Sequence, residues 1–357
     1  MIHPPLPEDL SYLEPLSEDE IFYMKYHEAK ADAGKKQKLL AETKNIRKYI
    51  IPEVYEDVAA FDVRTLFDDH YKHDITVRKH VRYSPDLLHE HTYFEMIYVL
   101  KGQTDNTIEG RLYQMNGGDI CILPPNVYHK LWVGDDSIII NIIIKKAFCT
   151  EPLLSFTPEG SGLIRFIKQH LYTKPLAEKK FLMYHAADST AICGIMTFLI
   201  AEALKGQNSP YVKNALLISL FNLLIQKSSG AEEIKESEKG ETAVKILEYL
   251  QEHYTTVTLT DAAKYFNYSV PYLSKLIQDL TGDSFIKILQ RIKLKEACHL
   301  LATTDCRISE IPALVGYDNA VYFNRIFKQK IGTSPYRYRK IHKNTLINGP
   351  YTEGSLL

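Results

Sequence analysis

Leu259-Thr-Asp-Ala-Ala-Lys-Tyr-Phe-Asn-Tyr-Ser269 runs into Tyr272-Leu-Ser-Lys-Leu-Ile277. About 49 residues later the pattern returns as Ile308-Ser-Glu-Ile-Pro-Ala-Leu-Val-Gly-Tyr-Asp318, running into Tyr322-Phe-Asn-Arg-Ile-Phe327. Each copy has the grammar of helix, tight turn, helix. Two such units in tandem suit a chain that reads double-stranded DNA.

In the first copy Thr258 is a good N-cap and Asp261, three residues on, makes a near capping box. Ala262 and Ala263 permit close helix packing, and Asn267 stands where the turn needs a left-handed residue. Ser269 then caps a second helix with Pro271 in its permissive first turn. Leu273, Leu276 and Ile277 face inward at helical spacing, leaving Pro271, Tyr272, Ser274, Lys275 and Gln278 on other faces. In the second copy Gly316 fills the turn and Asp318 or Asn319 caps. Phe323, Ile326 and Phe327 point inward, while Ala320, Val321, Asn324, Arg325 and Lys328 point outward. A single helix over 284–302 is expected between the copies. At 1.5 Å per residue it spans roughly 27 Å, near the ~34 Å between successive major grooves on one face of DNA.

The copies are unequal. Arg307 stands where the first has Thr258, and Pro312 where it has Ala263. A proline five residues into a helix loses a hydrogen bond and costs about 3 kcal/mol. The second lead helix should therefore start late or kink, with Ser309 as the replacement cap.

Ile308-Ser-Glu-Ile, Val315-Gly-Tyr317, Tyr322-Phe-Asn-Arg-Ile-Phe-Lys328, Gly332-Thr-Ser-Pro335 and Tyr336-Arg337 together resemble the DNA-binding domain of the AraC/XylS family of transcription regulators, over residues 241–342. The resemblance implies base contacts at Pro271, Tyr272, Ser274, Lys275 and Gln278, and at Ala320, Val321, Tyr322, Asn324 and Arg325. Chemically, Lys275 and Arg325 suit guanine or phosphate, and Asn324 suits adenine. It also implies promoter DNA and RNA polymerase as partners, a homodimer, and activation as the usual mode.

Residues 74–146 have a different texture. Short β-branched and aromatic runs at 75–81, 94–100, 105–108, 113–115, 119–123 and 137–144 alternate with Gly, Asn and Pro, as in an antiparallel barrel or sandwich. His89-Glu-His91-Thr-Tyr93-Phe-Glu95 continues to Gly102, and Gly118 leads to Pro124 and His129. Residues 89, 91 and 95 share parity, so on one strand all three would point to one face. His89, His91, Glu95 and His129 are a donor set for a divalent transition metal. Their spacing resembles both cupin motifs, although Asn126 and Val133 replace a glycine and an asparagine of the second. Three readings stay open for these residues: metal ligands, polar lining of a small-effector pocket (a sugar, for instance), or structural groups. Tyr93, Tyr128 and Trp132 are the aromatics expected near a flat ligand. A metal-dependent cupin enzyme (oxygenase or isomerase) fused to a DNA-binding domain is the alternative to a regulator.

The expected fold is multidomain α+β: a cupin-like N-terminal antiparallel β-barrel with flanking helices, then an all-α domain with two helix-turn-helix motifs. The boundaries read as a helical extension over 1–60 (Ser17 and Glu20 forming a capping box), the barrel over 61–150, and a helical dimerisation or packing region over 151–227. A linker over 228–240, the DNA-binding domain over 241–342 and a tail over 343–357 follow. Between residues 241 and 344 fifteen Lys and Arg outnumber ten Asp and Glu, while the whole chain carries a net charge of −1. A basic end on an acidic body fits phosphate neutralisation. Five dispersed cysteines without a CxxC pair suit a reducing compartment. With no signal-like start and no long apolar run, a cytoplasmic chain with no membrane partner is expected.

Overall fold

A computed structural model describes residues 8–51, 73–149, 153, 156–158, 161–172, 181–205, 209–227 and 238–343. Most of the expected linker, the tail beyond residue 343, and positions 52–72 fall outside the described residues. The chain divides into two compact units between Lys235 and Glu236, with 172–174 grouped with the second.

In the first unit a 3₁₀ turn, Glu8–Leu13, precedes helices α1 (Glu18–Ala29) and α2 (Ala33–Glu42). Among the described residues eight strands follow: β1 (Ile75–Lys79), β2 (Phe94–Lys101), β3 (Gln103–Ile108), β4 (Arg111–Asn116), β5 (Asp119–Leu123), β6 (His129–Trp132), β7 (Ile138–Ile144) and β8 (Leu182–His185). They form a five-stranded antiparallel sheet, β1-β7-β2-β5-β8, and a three-stranded one, β4-β3-β6. These are two separate sheets, where sequence suggested a barrel. Two strands go beyond those expected: β6, and β8, which joins the sheet from within the stretch read as helical. An isolated antiparallel bridge pairs His89, outside the named strands, with His129 of β6.

Strands β2, β5 and β7 are almost entirely buried because the five-stranded sheet is covered on both faces. On one face Phe94, Met96, Tyr98, Ile120, Ile122 and the even-numbered isoleucines of β7 pack with helices α3 (Gly162–Tyr172), α4 (Thr190–Leu204) and α5 (Pro210–Lys227). On the other, Ile97, Val99, Cys121, Leu123 and Ile139 meet Ile108, Met115 and Leu131 of the small sheet. Each such side chain contributes about 1.5–3 kcal/mol on burial. That second interior holds the candidate site.

Helix α1 is fastened to the strands by one carboxylate. Glu20 completes the capping box with Ser17 and receives Arg82 Nε at 3.0 Å, Arg82 Nη2 at 3.1 Å and Lys79 Nζ at 2.9 Å. Burial alone would raise its pKa; the hydrogen bonds from Arg82, Ser17 and Lys79 outweigh it and bring the value to about 2.

The second unit contains α6 (Glu238–His253), α7 (Leu259–Tyr265), α8 (Val270–Thr281), α9 (Phe285–Thr303), α10 (Ile311–Leu314), α11 (Ala320–Ile331) and α12 (Pro335–His342). Helix α6 begins inside the span read as linker. Two cores share α9: Phe285, Ile288 and Leu289 belong to the first helix-turn-helix, Leu294, Ala297 and Leu301 to the second. Among the described residues no helix is long and apolar enough to cross a membrane.

Candidate nucleic-acid interface and sensory site

Both second helices of the repeat, α8 and α11, have twelve residues and firm ends. Ser269 accepts from the Tyr272 N–H, with Pro271 in the first turn, and Gly282 at φ 81° closes α8. Asn319, not Asp318, caps α11 by accepting from the Val321 and Tyr322 N–H groups, and Gly332 at φ 79° closes it. Left-handed glycine is the usual end of such a helix. Ser334 then caps α12, which accounts for Gly332-Thr-Ser-Pro335 as a stop-and-restart signal.

The faces fall as the spacing required. Leu273, Ile277, Phe323, Ile326 and Phe327 are buried and Leu276 is half-buried. Pro271, Tyr272, Lys275 and Gln278 are exposed and Ser274 is half-exposed; Ala320, Val321, Tyr322, Asn324 and Arg325 are all exposed. Gln278 Nε2 donates to the Gly282 carbonyl at 2.7 Å, and the Arg325 guanidinium lies 5.3 Å from the Tyr322 ring centre. The exposed pair of Tyr322 and Arg325 offers a planar cation beside a ring, suited to a base edge or a phosphate.

Lead helices differ. Thr258 and Asp261 form a reciprocal capping box on α7. Helix α10 starts late, at Ile311, with Pro312 in its first turn. The cap is Glu310, which makes no side-chain cap bond, so Ser309 does not take the role expected of it.

In the first unit the polar residues converge between the sheets, by a route the parity argument did not describe. Residues 89–93 lie outside β2. His89 instead exchanges backbone hydrogen bonds with His129, at 3.0 and 2.9 Å. Glu95 enters on β2, beside Ile97 and Val99, and His129 enters on β6, beside Leu131. His91 Nε2 lies 3.3 Å and His129 Nε2 3.1 Å from Glu95 Oε2. The other Glu95 oxygen accepts from Asn141 Nδ2 at 2.9 Å. His91 Nδ1 faces the Tyr93 carbonyl at 2.8 Å and His89 Nδ1 the Leu87 carbonyl at 2.9 Å. A carbonyl only accepts, so both Nδ1 atoms carry a proton, and in the neutral His89 ring Nε2 keeps its lone pair. Burial first, then the neighbouring His129, lowers the His89 pKa to about 4, keeping its ring neutral. Burial would raise Glu95, but His129 and His91 hold it well below the carboxylate range.

One donor atom each of His89, Glu95 and His129 lies within 4.8 Å of the others. His91 stands beside Glu95 but outside that set. Tyr93 is buried with its ring stacked on His91, centres 4.3 Å apart. Tyr128 is exposed, and Trp132, on the opposite face of β6 from His129, packs against His27 of α1 at 5.0 Å. Neither lines the interior as expected. Two residues unmarked by the sequence reading do belong there. Asn141 holds Glu95, and Asn106 is fully buried on β3 with neither amide atom paired among the described residues. Polar residues at inward positions of apolar strands were the available signal.

A tandem helix-turn-helix following a two-sheet domain with a buried polar cluster points to a transcription regulator with a sensory domain. Sequence comparison agrees. Residues 78–139 match the AraC-like ligand binding domain and residues 262–341 a helix-turn-helix domain. The chain is 24% identical over 280 residues to the uncharacterized HTH-type transcriptional regulator YfiF of Bacillus subtilis, covering 74% of this chain and 84% of that protein. It is 21% identical to the HTH-type transcriptional activator RhaS of Klebsiella pneumoniae over 71% of this chain and 87% of the relative. To the raffinose operon transcriptional regulatory protein RafR of Pediococcus pentosaceus it is 35% identical over 108 residues, 30% of this chain and 38% of the other. Both matched stretches, and the relatives that span most of the chain, make it similar to AraC-type transcription regulators.

Proposed function

We propose that this regulator is a cytoplasmic homodimer that binds promoter DNA by inserting α8 and α11 into adjacent major grooves. The observation that carries this is the matched pair of capped helices, each burying its apolar face and exposing Lys275 or Arg325 at equivalent positions. Exposed Phe198, Tyr211 and Val212 on α4 and α5 supply an apolar surface for the dimer. Activation through RNA polymerase accords with the name of the activator RhaS, and a sugar effector with that of the raffinose operon regulator. Binding to upstream duplexes tests the assignment. Lys275→Ala and Arg325→Ala should each weaken specific binding by about 1–3 kcal/mol. Unchanged affinity and sequence preference in both variants would refute these recognition faces.

The sensory interior fits a divalent transition metal held by His89, Glu95 and His129, with His91 adjacent. The outer atoms of His89 and Glu95 are occupied by protein partners, while Glu95 Oε2 and both His129 nitrogens are buried and, among the described residues, have no partner beyond the contacts of Glu95 with His129 and His91. With metal–ligand bonds of about 2.1 Å, neighbouring donors stand about 3.0–3.4 Å apart, and His129 Nε2 and Glu95 Oε2 are 3.1 Å apart. A bound ion would supply Lewis acidity toward an oxygen-bearing effector, with Asn106 as a nearby amide. Elemental analysis after dialysis against zinc, iron or manganese should find about one ion per chain, lost in Glu95→Gln and His129→Ala. No retained ion in the unsubstituted protein would defeat this reading.

A further inference from the structure

Besides sharing α9, the two helix-turn-helix units approach each other at Thr255 and Gly316. Thr255 follows α6 in the first helix-turn-helix, and Gly316 is the turn between α10 and α11 in the second. Their backbones touch. A Cβ on Gly316 would lie 2.2 Å from the Thr255 carbonyl oxygen, and Gly316 sits at φ 76°. Lys293 lies on α9 at the changeover between the cores, flanked by Ile292 of the first and Leu294 of the second. Its ammonium donates to the Gly316 carbonyl at 2.7 Å and reaches the Thr255 carbonyl at 3.4 Å. It also lies 5.4 Å from the centre of the Tyr317 ring. Tyr254, next to Thr255, packs against both cores. One cation thus ties the connecting helix to a carbonyl from each unit.

We infer that Lys293 is a positioning residue: it clamps Thr255 to Gly316 and so fixes the angle between α8 and α11 that a two-groove operator demands. This rests on α8 and α11 being the recognition helices. A helix such as α9 sets the separation of two units but bends gently along its length, so their relative rotation needs a second tie. Two linked modules gain affinity from each other only when both engage together. Rotation matters because each base pair turns the groove by about 34°. Burial lowers the Lys293 pKa, in keeping with an ammonium drawn into the joint rather than left in solvent.

The test uses full-length protein and a duplex it selects from a random-sequence pool. Alongside go derivatives with one base pair inserted or removed between the half-sites, and each half-site alone. The intact protein should lose about 30-fold or more on a one-base-pair insertion. Lys293→Met should bind the parent duplex about 10-fold more weakly, with its insertion penalty falling below about 5-fold and half-site affinities unchanged. Lys293→Arg, which keeps a donor, should restore part of the spacing dependence. Gly316→Ala, which forces Thr255 away, should flatten the profile as Lys293→Met does. An unaltered spacing profile in Lys293→Met overturns the inference whatever happens to overall affinity. So does a proportional loss on the half-sites with a shallower salt dependence, which would make Lys293 a phosphate contact. If instead Lys275→Ala and Arg325→Ala leave both half-sites untouched, the recognition faces are wrong, a separate failure.

Discussion

The two copies of the helix-turn-helix agree in their second helices and disagree in their first. Helices α8 and α11 have equal length, a side-chain cap at the start and a left-handed glycine at the end. Helix α7 has seven residues and a capping box, whereas α10 has four residues and no side-chain cap. A recognition helix must expose one face to DNA, so its stability comes largely from local signals at its ends. A lead helix can borrow from the core. Ile311 and Val315 are fully buried, which compensates for the missing cap. The turns differ in the same sense: Asn267 adopts φ 58° in open surroundings, while the equivalent Gly316 is pressed against Thr255.

The largest break in this comparison comes from making the second turn like the first. Gly316→Asn, which asks a side chain to share space with the Thr255 carbonyl, should cost about 3 kcal/mol or more in urea unfolding of the second unit. Asn267→Gly, the reverse exchange, should stay within about 1 kcal/mol. A cost below that for Gly316→Asn would mean the joint is looser than its geometry.

Next in size is the cap. Thr258→Ala should remove about 1 kcal/mol, while Ser309→Ala should stay within about 0.5 kcal/mol, because Ser309 caps nothing. Equal losses would restore Ser309 as a cap.

The smallest effect is a pH dependence confined to the first copy. Hydrogen bonds from the Thr258 side chain and then its N–H hold Asp261 below the usual aspartate range. A carboxyl with a depressed folded pKa stabilises fully above its unfolded value of about 3.9 and ceases to do so as pH falls through the folded value. The Thr258→Ala penalty should therefore shrink on acidification below about pH 4. A penalty constant down to pH 3 would assign it to the hydroxyl alone.

What could be read in advance was mostly local. Thr258, Asn267, Ser269 and Asn319 announce their roles through chemistry spent within three residues, and the apolar faces of α8 and α11 follow from helical spacing. Strands β6 and β8 escaped because each has four residues whose partners are distant: β8 lies between helical stretches and pairs with β5 some sixty residues earlier. Motif spacing pointed to the histidines, but the parity argument for them failed. His89 and His91 do not continue β2; a bridge to His129 brings His89 in, and pairing of that kind leaves no periodic trace. Asn106 and Asn141 were passed over because a single amide in an apolar strand looks like an interruption until the opposing sheet is known.

Asn141 has a consequence for how the sheet assembles. Six of the seven residues of β7 are isoleucine, and a uniform strand buried on both faces could slide by two residues along β1 and β2 without turning a side chain to the wrong side. Only the pairing of Asn141 opposite Ile97 keeps its amide on Glu95. A slide in either direction would bury a charged carboxylate without that donor. One polar residue thus serves as an alignment mark, making the native pairing distinguishable from neighbours that oil-like contacts alone would score as equal.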